Sequence, residues 1–219
     1  RYALLSEDWP GAAASARVAY RAAPHRPVVC VVNGLPGSGK STLAPRLAAE
    51  LGVPLLGKDL IQEAVADALD ESDQGRLSKE LGSGASRALW ALLATSPAGA
   101  VVESWLPPTR DTAYLVDGLR AAGLDPTRVP EVFCDVPPEV ARERDLVRAA
   151  RGERHPVHRG PVEETEWHES VAPAAYPVGV GPVLRVDTSQ SVTDAQVCRL
   201  ALAIRAAGTP TGSRYSAVI

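Results

Sequence analysis

The segment Gly34-Leu35-Pro36-Gly37-Ser38-Gly39-Lys40-Ser41 most constrains what this chain can become. It matches the pattern G-x-x-x-x-G-K-S/T and directly follows the apolar run Val28-Val29-Cys30-Val31-Val32. Each residue type has a physical reason. The glycines let backbone N–H groups converge on phosphate oxygens without Cβ interference. A helix opening at the end of the loop adds its positive end to the same point. Lys40 reaches the outer phosphates as a point charge, and Ser41 offers a hydroxyl ligand for Mg²⁺. The expected nucleotide contacts are therefore Gly34, Pro36, Gly37, Ser38, Gly39, Lys40, Ser41 and Thr42, with ATP or GTP and Mg²⁺ as the cofactors.

Around the loop, short apolar runs alternate with helical patterns, the order of an α/β parallel sheet. Strands are expected at 28–32, 54–56, 100–103, 129–134 and 182–186. Helices are expected at 6–22 (with Ser6 as N-cap), 40–50, 60–70, 77–95, 109–122, 138–150 and 192–206. A polar loop is expected around Glu71–Gly75 and a frayed tail after Gly208. The 219 residues suit one domain covering 1–219, and the 45% hydrophobic content allows a sizeable core. A net charge of −3 argues against a nucleic-acid backbone binder. Cys30, Cys134 and Cys198 are scattered in apolar settings, as expected of buried free thiols in a reducing compartment. No apolar run reaches the length of a membrane span and no signal peptide is visible, so cytoplasm is the expected location.

The chain resembles the small P-loop kinases: gluconate and shikimate kinases, polynucleotide 5′-hydroxyl kinases, chloramphenicol phosphotransferase and zeta toxins. Besides the loop, the resemblance rests on Lys58-Asp59 closing the second strand and on Cys134-Asp135-Val136-Pro137-Pro138-Glu139-Val140 with the arginines beyond. It rests also on Val186-Asp187-Thr188-Ser189 closing the fifth strand. It implies a P-loop NTPase fold, a five-stranded parallel sheet in the order 2-3-1-4-5 with flanking helices, and a lid at about 151–176. That lid is broken by Gly152, Pro156, Gly160 and Pro161, and its charges have few evident partners until phosphates arrive. The implied activity is ATP·Mg²⁺-dependent phosphorylation of a small-molecule hydroxyl on a sugar, nucleoside or natural-product antibiotic. A polynucleotide 5′-hydroxyl kinase and a regulatory NTP-binding switch are the alternatives. The overall acidity speaks against the first. The second is disfavoured because the third strand ends in Glu103 rather than Asp and no Asn-Lys-x-Asp motif occurs.

The same resemblance marks the site residues. An Asp at the position of Asp59 takes the acceptor proton or sits close to Mg²⁺, although Asp59 also precedes Leu60-Ile61 where it would cap a helix. Arg144 and Arg148, four apart on one helix face, would stabilise charge on the transferred group; the alternative is a solvated face paired with Glu139 and Glu143. Arg142, Arg151 and Arg154 would add to that cluster. Zeta toxins carry a Glu-Gly-Thr-x-Arg run at the third strand end. Here Glu103 is followed by Ser104-Trp105-Leu106-Pro107-Pro108-Thr109-Arg110, which argues against a UDP-sugar acceptor. Glu103, Trp105 and Arg110 are the candidate substrate contacts. Glu103 could instead ligate Mg²⁺ through water or pair with an arginine, and Trp105 could simply anchor the loop, whereas Trp90 reads as core. Asp187 and Thr188 would lie beside the nucleotide base, or cap the last helix. His155, His158 and His168 lack the spacing and cysteines of a zinc site and fall in the lid or its hinge.

Overall fold

In the computed structural model, residues 27–158, 162–207 and 217–218 are described. The helix expected at 6–22, most of the tail after Gly208, and Gly160 and Pro161 of the lid lie outside them. The chain runs β1 (Val28–Asn33), α1 (Lys40–Leu51), β2 (Leu55–Gly57), α2 (Lys58–Ala66), α3 (Glu71–Arg76) and α4 (Ser78–Ala94). It continues with β3 (Gly99–Glu103), α5 (Pro108–Ala121), β4 (Glu131–Asp135) and α6 (Pro138–Ala150). A short α7 (Glu164–Glu166) leads through a π-helical turn, Trp167–Val171, into a 3-10 turn, Ala172–Ala174. Then come β5 (Val183–Asp187), α8 (Asp194–Ala207) and β6 (Ala217–Val218).

The first five strands lie in the order β2-β3-β1-β4-β5, as expected, all parallel. Two residues of the tail, Ala217–Val218, add a sixth parallel strand beside β5. The stretch expected as a polar loop near Glu71–Gly75 is the single helical piece α3. Asp70 precedes it in extended conformation, and its carbonyl accepts from the N–H groups of Asp73 and Gln74.

β1 is buried on both faces, because it sits between β3 and β4 with helices above and below. Its alternate side chains feed two cores. Cys30 and Val32 join Leu43 and Leu47 of α1 and Leu200 and Ile204 of α8. Val29 and Val31 join Leu89 and Trp90 of α4 and Leu115 and Leu119 of α5. Trp90 is core, as its apolar setting implied, with its ring centroid 5.5 Å from that of Tyr114.

Gly118 of α5 lies against the Trp90 indole, and a Cβ built there falls 2.1 Å from a ring carbon. Gly118→Ala should therefore destabilise the protein. The ring must move to accept the methyl, an overpacking cost of ~1–3 kcal/mol, against a helix-propensity gain of about 1 kcal/mol. Urea denaturation monitored by tryptophan fluorescence measures the balance. A more stable variant would mean that the indole relaxes freely.

Register brings the carboxyl ends of the strands to one edge. Val32 is level with Glu103, Glu103 with Gly57, and Asp135 with Asp187. The chain leaves β1 for β2 and β3 on one side and for β4 on the other, so the crevice above β1 is the expected ligand position.

Candidate active site

Asn33, the last residue of β1, holds the loop entry. Its Nδ2 donates to the Leu106 carbonyl at 3.1 Å and to Glu131 Oε1 at 2.8 Å. Its Oδ1 accepts from the N–H groups of Gly34 and Leu106. Glu131 in turn accepts from the N–H groups of Val178 and Gly179. This buried amide–carboxylate pair ties together the segments after β1, β3 and the lid, and the reading of the sequence passed it over. Its signal was an amide ending an otherwise apolar strand.

Beyond Asn33 the loop closes on itself. Gly37 adopts φ 76°, and a Cβ there would sit 2.0 Å from the Ala141 carbonyl oxygen, so α6 packs directly on the loop backbone. Lys40 opens α1 and is nearly buried, with its Nζ donating to the Leu35 carbonyl at 2.8 Å. Burial holds its pKa below the ordinary lysine value, while Glu103, Cys134 and Asp59 pull it back up. A buried ammonium with one carbonyl partner and, among the described residues, no carboxylate within ion-pair distance suits an anionic ligand.

Ser41 Oγ donates to Glu103 Oε1 at 3.2 Å. Glu103 is 6% exposed, and its burial raises its pKa above the usual carboxylate value, with Lys40 opposing and Asp59 adding to the rise. It forms no ion pair with an arginine among the described residues, so the structural alternative for Glu103 is replaced by a contact to the loop serine. Asp59 stands nearby in the first turn of α2. It is not a helix cap: Gly57 occupies the N-cap position, because β2 passes straight into α2 without a loop. Its carboxylate meets Lys58 at 3.1 Å. Partial burial would raise its pKa, yet Lys58, His158 and Lys40 outweigh that and leave it below the usual range. Ser41, Glu103 and Asp59 form an all-oxygen donor set, which fits Mg²⁺, a hard cation held by one or two carboxylates together with substrate phosphates.

The arginines of α6 divide their roles. Arg144 donates to the carbonyls of Thr188 at 2.8 Å and Ser189 at 2.7 Å, fixing the loop after β5. Arg148, one turn on, is exposed on the cleft wall, and its guanidinium makes no hydrogen bond or ion pair among the described residues. Neither arginine pairs with Glu139 or Glu143, so the alternative of a solvated paired face is not formed. Arg142 turns away to cover the Trp167 ring at 5.5 Å, and Arg151 lies 3.9 Å from Glu153. Of the three extra arginines only Arg154 lines the cleft, where it contacts both oxygens of the buried Asp145 at 3.0 and 3.1 Å.

Asp187 accepts from the Ser189 N–H at 2.8 Å and so shapes a turn rather than capping the last helix. That helix starts at Asp194, where Thr193 and Gln196 cap it reciprocally. Thr188 is buried, donates from Oγ1 to the Asp135 carbonyl, and lies beside Gly39 and the cleft.

The cleft has a volume of about 660 Å³. The loop and Thr188 form one end, and Asp59, Trp105, Arg110 and Tyr114 form the other. Trp105 is half-buried, with the Arg110 guanidinium 5.3 Å from its ring centre. Arg110 is bidentate to Asp111 at 2.9 and 2.8 Å.

The segment expected as a lid carries more partners than its composition implied. His155 pairs with Asp67 at 2.9 Å and His158 with Glu63 at 2.8 Å, both on or just past α2. Val157, Trp167 and Val171 are buried. His168 lies 4.0 Å from Glu164. The thiols of Cys30 and Cys134 are buried, and burial pushes both up to about 12, which keeps them protonated. Cys198, expected to be buried, is exposed on α8 and donates to Glu50. Its helix turns this position away from Leu200 and Ile204, which face the core. Among the described residues no helix is long and apolar enough to cross a membrane.

Comparison with known proteins agrees with this fold. A provisionally named kinase from Chloroflexus aurantiacus J-10-fl superposes with a TM-score of 0.68 at 26% identity, over 82% of this chain and 98% of its own. Shikimate kinase from Acinetobacter baumannii, in complex with shikimate, superposes with a TM-score of 0.51 at 17% identity, over 83% and 92%. No curated protein matches the sequence. Residues 29–165, more than half of the chain, match the family model described as AAA domain (AAA_33). With the phosphate loop, the Glu103 strand and the arginine helix all inside that match, the chain belongs to this AAA domain family and has the fold of the small P-loop kinases.

Proposed function

We propose that this protein transfers the γ-phosphoryl group of ATP to a hydroxyl of a small molecule with the help of Mg²⁺. The observation that carries this reading is the placement of Asp59 in the same cleft as Lys40, Ser41 and Glu103, which leaves a carboxylate facing the space beyond the phosphate loop. A protein that only binds or hydrolyses a nucleotide has no need of an acceptor-sized space there. The likeness to the Chloroflexus kinase supports the same reading.

In this mechanism the loop backbone and Lys40 hold the β- and γ-phosphates, and Arg144 keeps Thr188 and Ser189 in place beside the nucleotide. Ser41 and Glu103, with Asp59 at the edge, would hold Mg²⁺, which supplies charge neutralisation between the phosphates. Asp59 orients the acceptor hydroxyl. The new bond joins the acceptor oxygen to the γ-phosphorus, the bond to the β,γ-bridging oxygen breaks, and ADP leaves. The hydroxyl proton passes to the Asp59 carboxylate. A carboxylate held below its usual pKa is a weak base, so it works chiefly by orientation and takes the proton late. Arg148, exposed on the cleft wall without a hydrogen-bond partner, meets charge on the transferred group.

The test is acceptor-dependent ADP formation with a mass gain of one phosphate on the acceptor. ATP turnover that no hydroxyl compound accelerates would favour a regulatory switch instead.

The segment 151–176 serves as the lid in this reading. Arg154 and His158 line the cleft from it. Hydrogen exchange in its amides should slow when ATP·Mg²⁺ binds, since phosphates add a counter-charge beside Arg148 and Arg154. Unchanged exchange across the whole segment would remove the lid from the mechanism.

A further inference from the structure

The kinase reading leaves the acceptor open, and the distribution of charge partners in the cleft narrows it. Among the described residues, three cationic side chains of the cleft have no carboxylate within ion-pair distance: Lys40, Arg144 and Arg148. All three belong to the phosphate end, where Lys40 and Arg144 bond only backbone carbonyls. Every other described basic side chain of the cleft, His158 included, meets its own carboxylate. Lys58 is paired with Asp59, Arg110 with Asp111, Arg154 with Asp145 and His158 with Glu63. At the outer edge Arg46 is paired with Asp194. The Arg110 pair is bidentate, Nε and Nη2 each meeting one Asp111 oxygen, and Arg154 shares Nη1 between both oxygens of Asp145.

The acceptor end is therefore neutral in sum. Its surfaces are Val162, the Trp105 ring with Arg110 over it, and the hydroxyl oxygens of Ser86 and Ser104, which donate to the Gly82 and Trp105 carbonyls and can still accept; the Tyr114 hydroxyl donates to the Ser86 carbonyl. An anionic acceptor would meet no unpaired cation there and would be repelled by Glu103 and the triphosphate. Among the described carboxylates of the cleft a cationic acceptor would find only Glu103 without an ion pair, and Ser41 holds that group at the phosphate end.

Resting on the kinase reading above, we infer that the acceptor is an uncharged polyhydroxylated molecule with one planar or apolar face. Its face lies on Trp105, and its hydroxyls are held by Asp59 and the two serines. Sugar acids, nucleotides and polynucleotide ends, each of which brings an anionic group, fall outside this class.

The test uses the whole protein with ATP·Mg²⁺ and matched acceptors that differ in one ionisable group. The pairs are glucose with gluconate, uridine with uridine 5′-monophosphate, and 1-phenylethane-1,2-diol with mandelate, with glucosamine as the cationic probe. Phosphoryl transfer is read by mass spectrometry. The neutral member of any reactive pair should have a kcat/KM at least ~10-fold above its charged counterpart. Asp111→Asn leaves Arg110 without a partner, and should narrow that ratio by about tenfold in favour of the acid while nucleotide affinity holds. A charged member that reacts faster overturns the inference and leaves the kinase reading standing. So does an unchanged ratio in Asp111→Asn, which would show that the Arg110 pair does not set selectivity. Absence of transfer to every acceptor, with ATP bound, overturns both.

Discussion

Lys40→Ala should lower phosphoryl transfer by at least ~10³-fold, the loss of several kcal/mol of transition-state stabilisation expected when a positioned charge on the transferred phosphate is removed. The buried setting of Lys40 is the reason for so large an effect. Its ammonium lies in a water-poor pocket, where an interaction with phosphate is much stronger than at a surface. The fold should survive. The deletion frees the Leu35 carbonyl, a loss of about 1 kcal/mol, but it also relieves the desolvation of a buried charge. Circular dichroism and denaturation establish the folded state, and steady-state kinetics with saturating acceptor establish the rate. A folded variant with wild-type turnover would sink the assignment of the loop.

Asp59→Asn should separate chemistry from nucleotide binding. The amide keeps the shape but accepts no proton and loses the charge that orients the hydroxyl, so kcat should fall by roughly 10²–10⁴. Nucleotide affinity should change little, because Ser41 and Glu103 remain to hold the metal side of the phosphates. Stability should also change little. Asp59 caps nothing, and its contact with Lys58 is an exposed pair of the kind that contributes about 0–1 kcal/mol. Isothermal calorimetry with a non-hydrolysable ATP analogue and Mg²⁺, beside the rate measurement, divides the outcomes. Loss of analogue binding would place Asp59 in the metal shell. Near-normal kcat would transfer the acceptor-facing role to Glu103.

Much of this site was legible in the sequence because it depends on local rules. The phosphate loop needs glycine at positions of positive φ, an apolar strand before it and a helix after it, and all three are contiguous in 28–51. The five-strand order followed from the resemblance that this loop anchors, together with the strand-end signals at Asp59, Glu103, Asp135 and Asp187. Parallel strands in register put all of these carboxylates at one edge. The pairing of Arg144 and Arg148 on one face likewise follows from the helical repeat alone.

What composition and spacing left open were the partners of polar side chains that meet across elements. Glu103 is 62 residues from Ser41, and Asn33 is 98 from Glu131. No local preference determines such a contact; it exists because β1, β3 and β4 pair in one particular register. The same holds for Arg144, tied to the loop after β5, and for Arg148, left without a hydrogen-bond partner. They are equivalent by helical period and become different only when β5 is laid beside β4. His155 and His158 of the lid had no partner in their own neighbourhood and found Asp67 and Glu63, on and just past α2. Asp59 shows the smallest version of this division. Sequence placed a carboxylate after the second strand, but two residues of shift at the helix start decided between capping the helix and facing the cleft. That shift was settled by β2, a strand of three residues that hands its last glycine to α2 as N-cap because the paired edge of β3 ends at the same level.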